Sequence, residues 1–599
     1  MSDLKSELQL QSTLAAAPAM TRAQSNHISA DPATAKLFAY GSANTVIVRN
    51  VEDPAQVLLS HRHSSAVTVA RIAPNGLLVA SGDKDGNISI WANRSDTAEK
   101  YRSKLLNGAV RDISWSDDSE RVAIVGEGRG DFATVITVSG SSLGEITGHV
   151  QNIVTCDFRK TRPFKLFTGG ADTKVCFYEG PPFKFAHSVA STFKATVTCV
   201  RVSPDGELVA CVSGSADILI LDAKTGKDVK TIPTGHQGTI YSIAWSPDSK
   251  RFTTASADKT VKTFLVESGE AVASVVLGKS IPFMQQSVFY SAAGVVSASL
   301  NGTLQFLGDG SAVQKQWYGH QKPLVGLFFD AQSNALVSFA TDGVVLKWPA
   351  AAPGSAEPIT VESDVINCAA PVGTTGTYVA VAGTDLVIVN PSTTGPATVL
   401  CKEANHALGV AALNNGTFVL LYRNAFSVFS AQGKKLHEEK IAQFDGSSIA
   451  VHGDIIALGG DKVVRLYKVE ATGKPDLIGT FQGRHTVPVT AVAFSPDGQS
   501  VASGDSGKTI FVWSVADPSK VLYENLTFHT LRVTSLAFQG PSTLVSGSVD
   551  ASVIVWDLDG KRRRVQDYAH RGGVSVVALG APGDLFTAGG DLCIRRWAA

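Results

Sequence analysis

A histidine recurs along this chain at steps that resolve into one period. His63, His149, His236 and His320 lie 86, 87 and 84 residues apart, and His485, His529 and His570 follow at steps of 44 and 41. The long steps are two repeats and the short steps one. A unit of about 40 to 45 residues is too small to bury a core alone, so the chain must fold by stacking many similar units.

Two further landmarks move in phase with the histidine. Asp85, Asp172, Asp258, Asp342, Asp550 and Asp591 fall 21 to 23 residues after His63, His149, His236, His320, His529 and His570, and six residues later stand Trp91, Tyr178, Phe264, Trp348, Trp556 and Trp597. Between them lie sharp turns such as Pro74-Asn75-Gly76, Pro204-Asp205-Gly206 and Pro496-Asp497-Gly498, where Pro fixes an early φ and Gly accepts a positive one late in the turn. Alternating apolar runs flank the turns. With 55 Gly, 3 Met and 18% charged residues among 599, the balance favours short strands over long helices. Three-strand units of this kind can be counted fourteen times. Units 9 to 11, roughly 357 to 470, lack the landmarks but keep length and alternation, as in "TYVAVAGTDLVIV" and "DIIALGGDKVVRLY".

These phased residues resemble the WD40 repeat family, whose unit supplies a four-stranded propeller blade. The expected fold is all-β, two tandem seven-bladed WD40 β-propellers. In that family His, turn Asp, a Ser or Thr and Trp form a buried relay, which here implies His149/Asp172, His236/Asp258, His320/Asp342/Trp348, His529/Asp550/Trp556 and His570/Asp591/Trp597. A catalytic site needs its groups once, so their recurrence assigns them to blade stability.

A propeller must close, because an open blade edge pairs with other chains. The last unit ends at Trp597-Ala598-Ala599 without an outer strand, while "SELQLQSTLA" at 6 to 15 reads as a spare one. The expected domains are therefore 20–318 for the first propeller and 319–599 closed by the N-terminal strand 1–16 for the second, with a monomer implied by edges paired within the chain.

The stretches "VGEGRGDFATV" at 125–135, "SGSSLGEITGH" at 139–149 and "RPFKLFTGGADTKVCFYEGPPFKF" at 162–185, with "APNGLLVASGDKDGNISIW" at 73–91 and "GTIYSIAWSPDSKRFTTASADKT" at 238–260, are similar to the actin-interacting protein 1 family. The resemblance implies a cytoplasmic, non-enzymatic scaffold of the actin cytoskeleton. Such a scaffold binds actin filaments decorated by ADF/cofilin, promotes severing and disassembly, and caps barbed ends. The matching motifs carry the implied contact residues Glu127, Arg129, Asp131, Asp172, Lys174, Phe183, Lys184 and Phe185; Gly130 and Ala171 stand where the family commonly has a charge. Phe183 and Phe185 alternate onto one side of a strand, packed in a core or displayed on a rim. The competing readings are a generic WD-repeat adaptor for another complex, which would usually append a helical domain, and a propeller hydrolase, which would gather acidic or metal-binding groups at one funnel.

Lys+Arg and Asp+Glu both number 53, so the overall field gives no reason to expect nucleic acid or an anionic membrane as partner. The basic run Lys561 to Arg564 reads as a solvated connector. No apolar stretch approaches the roughly 18 residues needed to cross a bilayer, and Asp3 and Glu7 are unlike a secretory signal. The seven cysteines are odd in number and never in C-x-x-C spacing, which fits reduced thiols and no metal. Gly126-x-Gly128-x-Gly130 lacks the strand-loop-helix setting of a phosphate loop, so no cofactor is expected.

Overall fold

The computed structural model describes every residue except 1, 4–7, 95, 96, 190–192, 353, 394, 471 and 599. Ser6 and Glu7 of the spare strand, and Ala599, lie outside the described residues. Among those described the secondary structure is β apart from one helical turn, Ile281–Phe283, and no helix is long and apolar enough to cross a membrane.

Fourteen sheets follow one another along the chain, and we number them as blades 1 to 14; all are antiparallel except that Ser2–Asp3 adds a parallel edge to blade 13, opposite Arg562 and Arg563. The chain divides into two units, 17–321 with blades 1 to 7 and 1–16 plus 322–599 with blades 8 to 14, called here the first and second rings. Units 9 to 11, without landmarks, form ordinary four-stranded blades from Ile366–Val372 to Pro475–Phe481. In the last blade Gln9–Leu14 pairs antiparallel with Ile594–Ala598, Leu10 opposite Trp597 and Leu14 opposite Ile594. The four strands of each blade in the first ring are contiguous in sequence, ending with Lys315–Trp317.

Burial falls from the inside of a blade outwards. In blade 2 the second strand, Leu78–Asp83, is buried at nearly every position, whereas the outer strand Glu99–Lys104 alternates exposed and half-buried. Neighbouring blades approach so closely that a Cβ on Gly504 or Gly547 would stand 2.6 Å from Val533 Cγ1 or Val574 Cγ1 of the next blade. A β-bulge near the start of most inner strands leaves one residue without a cross-strand partner, which re-aims its side chain. In blades 12 and 13 that residue is a threonine bonding the next blade: Thr490 Oγ1 donates to Val533 O at 2.6 Å and Thr534 Oγ1 to Val574 O at 2.7 Å.

The basic run Lys561 to Arg564 leads into the outer strand of blade 13, Arg562–Gln566, where Arg563 stacks 3.7 Å over Phe528 and Arg562 pairs with Asp557. All seven cysteines are free thiols, six of them buried.

Candidate interaction surface on blades 3 and 4

The loop between second and third strands of a blade lies at the same end of the sheet as the connection from the preceding blade, and where a His–Asp relay is present it spans that junction. In blade 12 Trp513 Nε1 donates to Ser503 Oγ at 2.8 Å, and His485 contacts Ser503 Oγ and Asp505 at 2.8 Å each. An ionised Asp only accepts, so Nδ1 carries the proton, Nε2 accepts from the hydroxyl, and the chain of donors runs Trp, Ser, His, Asp. The same geometry joins Trp556, Ser546, His529 and Asp550 in blade 13, and Trp597, Thr587, His570 and Asp591 in blade 14. In blade 6 His236 bonds Thr254 and Asp258, and Phe264 has no donor to extend the chain. In blade 8 Trp348 Nε1 donates to Ser338 at 2.8 Å, His320 is buried, and Asp342 Oδ1 accepts Val344 N–H.

Blade 2 corrects the sequence phase. The partner of His63 is Asp83, at 2.9 Å, not Asp85, whose own N–H merely donates to Asp83. Blade 12 repeats this with Asp505. Both blades carry Ser-Gly-Asp, ending the second strand on the acid itself.

Burial lowers the pKa of His63, His149 and His570, and their Asp partners pull the other way without reversing it. For Asp172, Asp258 and Asp550 burial works upward, but hydrogen bonds from backbone N–H groups and the imidazole outweigh it, holding each carboxyl below its ordinary value. Neutral imidazole against carboxylate is the state that satisfies every donor.

Two of these loops carry the candidate contacts. In blade 3 the loop between Arg121–Gly126 and Ala133–Thr137 is pinned by Gly126 N–H to Phe132 O at 2.8 Å and Glu127 N–H to Ala109 O at 2.9 Å. The Glu127 carboxylate is held by Arg111 through Nε at 2.9 Å and through Nη2, while Arg111 Nη1 reaches Gln24. Arg111 is the residue left unpaired by the blade 3 bulge, which turns it towards the loop. Glu127 thus anchors the loop, and Arg129 and Asp131 stand exposed at its tip. Gly130 has φ +103 and open space around it, so a charged side chain there meets backbone strain but no steric obstacle.

In blade 4 Asp172 accepts from His149 Nδ1 at 2.9 Å, Val150 N–H at 3.0 Å and Lys174 N–H at 3.3 Å, and its side chain is 3% exposed. His149 Nε2 meets Thr168 Oγ1 at 2.8 Å, and Tyr178 OH turns to Thr147 O at 2.7 Å. Asp172 is therefore a relay residue with little surface to offer a partner. The residue it orients, Val150, is 72% exposed at the same end of the blade. Sequence reasoning passed over it; the signal was an apolar residue directly after a relay histidine.

The remaining three candidates lie at the far end of blade 4. Residues 180–183 turn, the outer strand begins at Lys184, and Lys184 pairs with Glu179. Phe183 falls in the turn and is 1% exposed, its ring 5.4 Å from Phe158 and its N–H bonded to Leu143 O of blade 3. Of the two expectations for Phe183, packing in a core holds and display on a rim beside Phe185 does not, because the turn directs it into the packing between blades. Phe185 is 40% exposed and lies edge-on to Tyr178 at 5.9 Å, over Gly148. The structure therefore brings Arg129, Asp131, Val150 and Lys174 to one end of blades 3 and 4 and leaves Lys184 and Phe185 on the outer edge of blade 4. Among the described residues no three His, Cys, Asp or Glu side chains are grouped to hold a metal.

The WD domain, G-beta repeat family matches residues 53–92, 186–220, 226–264, 475–514 and 520–557. Each match takes the outer strand of one blade with the inner three of the next. Over nearly its full length the chain is 34% identical to the 66 kDa stress protein of Physarum polycephalum, covering 97% of both chains. It is 32% identical to Actin-interacting protein 1 of Drosophila melanogaster over 90% of both, and 30% identical to WD repeat-containing protein 1 of Gallus gallus over 98% of both. The chain belongs to the actin-interacting protein 1 family. In this member of the actin-interacting protein 1 family Glu127 is held by Arg111 and Asp172 by His149, which leaves Arg129, Asp131 and Lys174 as the remaining charges of the two loops.

Proposed function

We propose that this protein binds actin filaments decorated by ADF/cofilin, promotes their severing and disassembly, and limits regrowth at barbed ends. The observation that carries the reading is the full-length similarity to the Drosophila protein named Actin-interacting protein 1. The end of blades 3 and 4 bearing Arg129, Asp131, Val150 and Lys174 is the contact face, with Lys184 and Phe185 as a second edge. Interface energy concentrates in a few anchors, while rim charges govern association rate and salt dependence. The protein acts as a cytoplasmic monomer on the actin cytoskeleton, without cofactor or covalent chemistry. Binding energy directed to a distorted conformation of the decorated filament, rather than to the intact one, shifts the population towards fragments. Co-sedimentation with filaments, with and without cofilin, tests this: cofilin should greatly increase the pelleted fraction, and equal pelleting on bare filaments would overturn it.

A further inference from the structure

The inner strands of the first ring surround a cavity of about 470 Å³. At its inner end three blades contribute one buried charge cluster. Asp112 of blade 3 accepts from Arg71 Nη2 at 2.8 Å, Arg201 Nη1 at 2.9 Å, Thr155 Oγ1 at 3.1 Å and Cys156 N–H at 3.2 Å, with its side chain fully buried. His27 Nε2 stands 3.8 Å away. Burial lowers His27 to about 3 against the pull of Asp112, so the imidazole is neutral. Burial pushes the Asp112 carboxyl up, but the Arg201 and Arg71 guanidiniums outweigh it and hold the group well below the carboxylate range. Two guanidinium cations therefore share one carboxylate. One unit of positive charge is left over where water is largely excluded, an arrangement that an oxyanion would relieve.

The donors agree with the charge count. Among the described residues Arg71 donates only through Nη2 and Arg201 only through Nη1, and Arg71 Nε is buried without a hydrogen-bond partner there, in a residue 9% exposed. Both side chains line the cavity. The other charges there are already engaged or lie outward. Asp157 accepts from Ser114 Oγ, Lys160 Nζ and Val202 N–H, forming a neutral pair with Lys160. Asp31 caps its own turn at Ala33 and Thr34, and Asp117 is exposed, where water and salt screen it. Trp115 and Trp245 donate their indole N–H groups to Arg71 O and Arg201 O, at 3.1 and 2.9 Å, so only their ring surface remains to line the cavity.

We propose that the channel of the first ring binds a small oxyanion with an apolar body, its phosphate or carboxylate held by the free donors of Arg71 and Arg201 and its body packed against Trp115 and Trp245. Forked guanidinium groups suit bidentate capture of such a head, and the cavity has the size of a small-molecule site. The site lies inside the ring and is independent of the contact face on blades 3 and 4.

Calorimetric titration of the full-length protein with phenyl phosphate, benzoate, inorganic phosphate and phenol tests it at constant ionic strength. Phenyl phosphate or benzoate should bind one to one, inorganic phosphate more weakly, and phenol not at all. Arg71→Lys and Arg201→Lys keep the charge opposite Asp112 but lose the fork, and each should weaken binding by roughly tenfold or more. Absence of saturable heat with every oxyanion, or full-strength binding by both folded variants, would overturn the proposal. If the variants melt early, a crystal of the unaltered protein soaked in phenyl phosphate decides: density against Arg71 and Arg201 supports the site, and density elsewhere or none refutes it.

Discussion

Replacing Asp172 by alanine separates a relay role from a contact role. The carboxylate accepts three donors: His149 Nδ1, Val150 N–H and Lys174 N–H. The imidazole is 1% exposed, so its orphaned N–H bears the full desolvation penalty, about 1–3 kcal/mol. The two backbone N–H groups sit at the loop surface and regain water, adding roughly 0.5 kcal/mol each. The sum is about 2–4 kcal/mol. For a domain of this size each kcal/mol moves the melting midpoint by about 2 °C, so the first ring should melt roughly 4–8 °C earlier in scanning calorimetry. Asp172→Asn keeps an acceptor for Nδ1 and should recover about half of the loss. Below the melt, severing with cofilin should proceed near the normal rate. An Asp172→Ala protein that melts like its parent yet fails to sever would refute the relay assignment and restore Asp172 to the contact face.

The same geometry yields three further expectations. Phe183→Ala should cost about 3–5 kcal/mol, the usual loss for a buried aromatic, with severing by the folded fraction intact; urea titration followed by a severing assay checks both. His27 is held neutral in the fold at a pKa of about 3, below its unfolded value near 6.5, so the unfolded chain binds the extra proton between those values. Its contribution is complete above pH 6.5 and declines as pH falls, by about 2 kcal/mol at pH 5, and His27→Gln should flatten that slope in denaturation measured from pH 7 to 5. Deleting residues 1–16 removes the strand beside Ile594–Ala598 and should expose the second ring to limited proteolysis before the first; earlier cleavage of the first ring would contradict the pairing.

Much of this architecture is legible from sequence because the relay repeats in register. His529, Asp550 and Trp556 sit in one blade with Ser546, close enough along the chain for periodicity to find them. Where Asp closes the second strand directly, as Asp83 does, the count slips by two and Asp85 is chosen instead. For Phe183 the packed alternative holds, by a route alternation does not carry: alternation assumes a strand, and a turn occupies 180–183. The cluster of Arg71, Asp112 and Arg201 leaves no pattern at all. Its members are 41 and 89 residues apart and meet only because ring closure sets the inner strands of different blades around one channel. Glu127 belongs to the same class, since its partner Arg111 is re-aimed by a bulge that alternation does not reveal.

On the proposed reading, filament contact belongs to the exposed loop ends of blades 3 and 4 rather than to the relay beneath them. Single-filament microscopy of severing by cofilin, with the triple variant Asp131→Lys, Val150→Asp and Lys174→Glu, tests it directly. All three side chains lie in loops, and Val150 is 72% exposed, so the variant should melt like its parent. Losing one apolar anchor and reversing two charges should weaken filament engagement by about 2 kcal/mol, roughly thirtyfold, and severing should fall towards the rate with cofilin alone. A triple variant that folds normally and severs as fast as the parent would contradict the assignment.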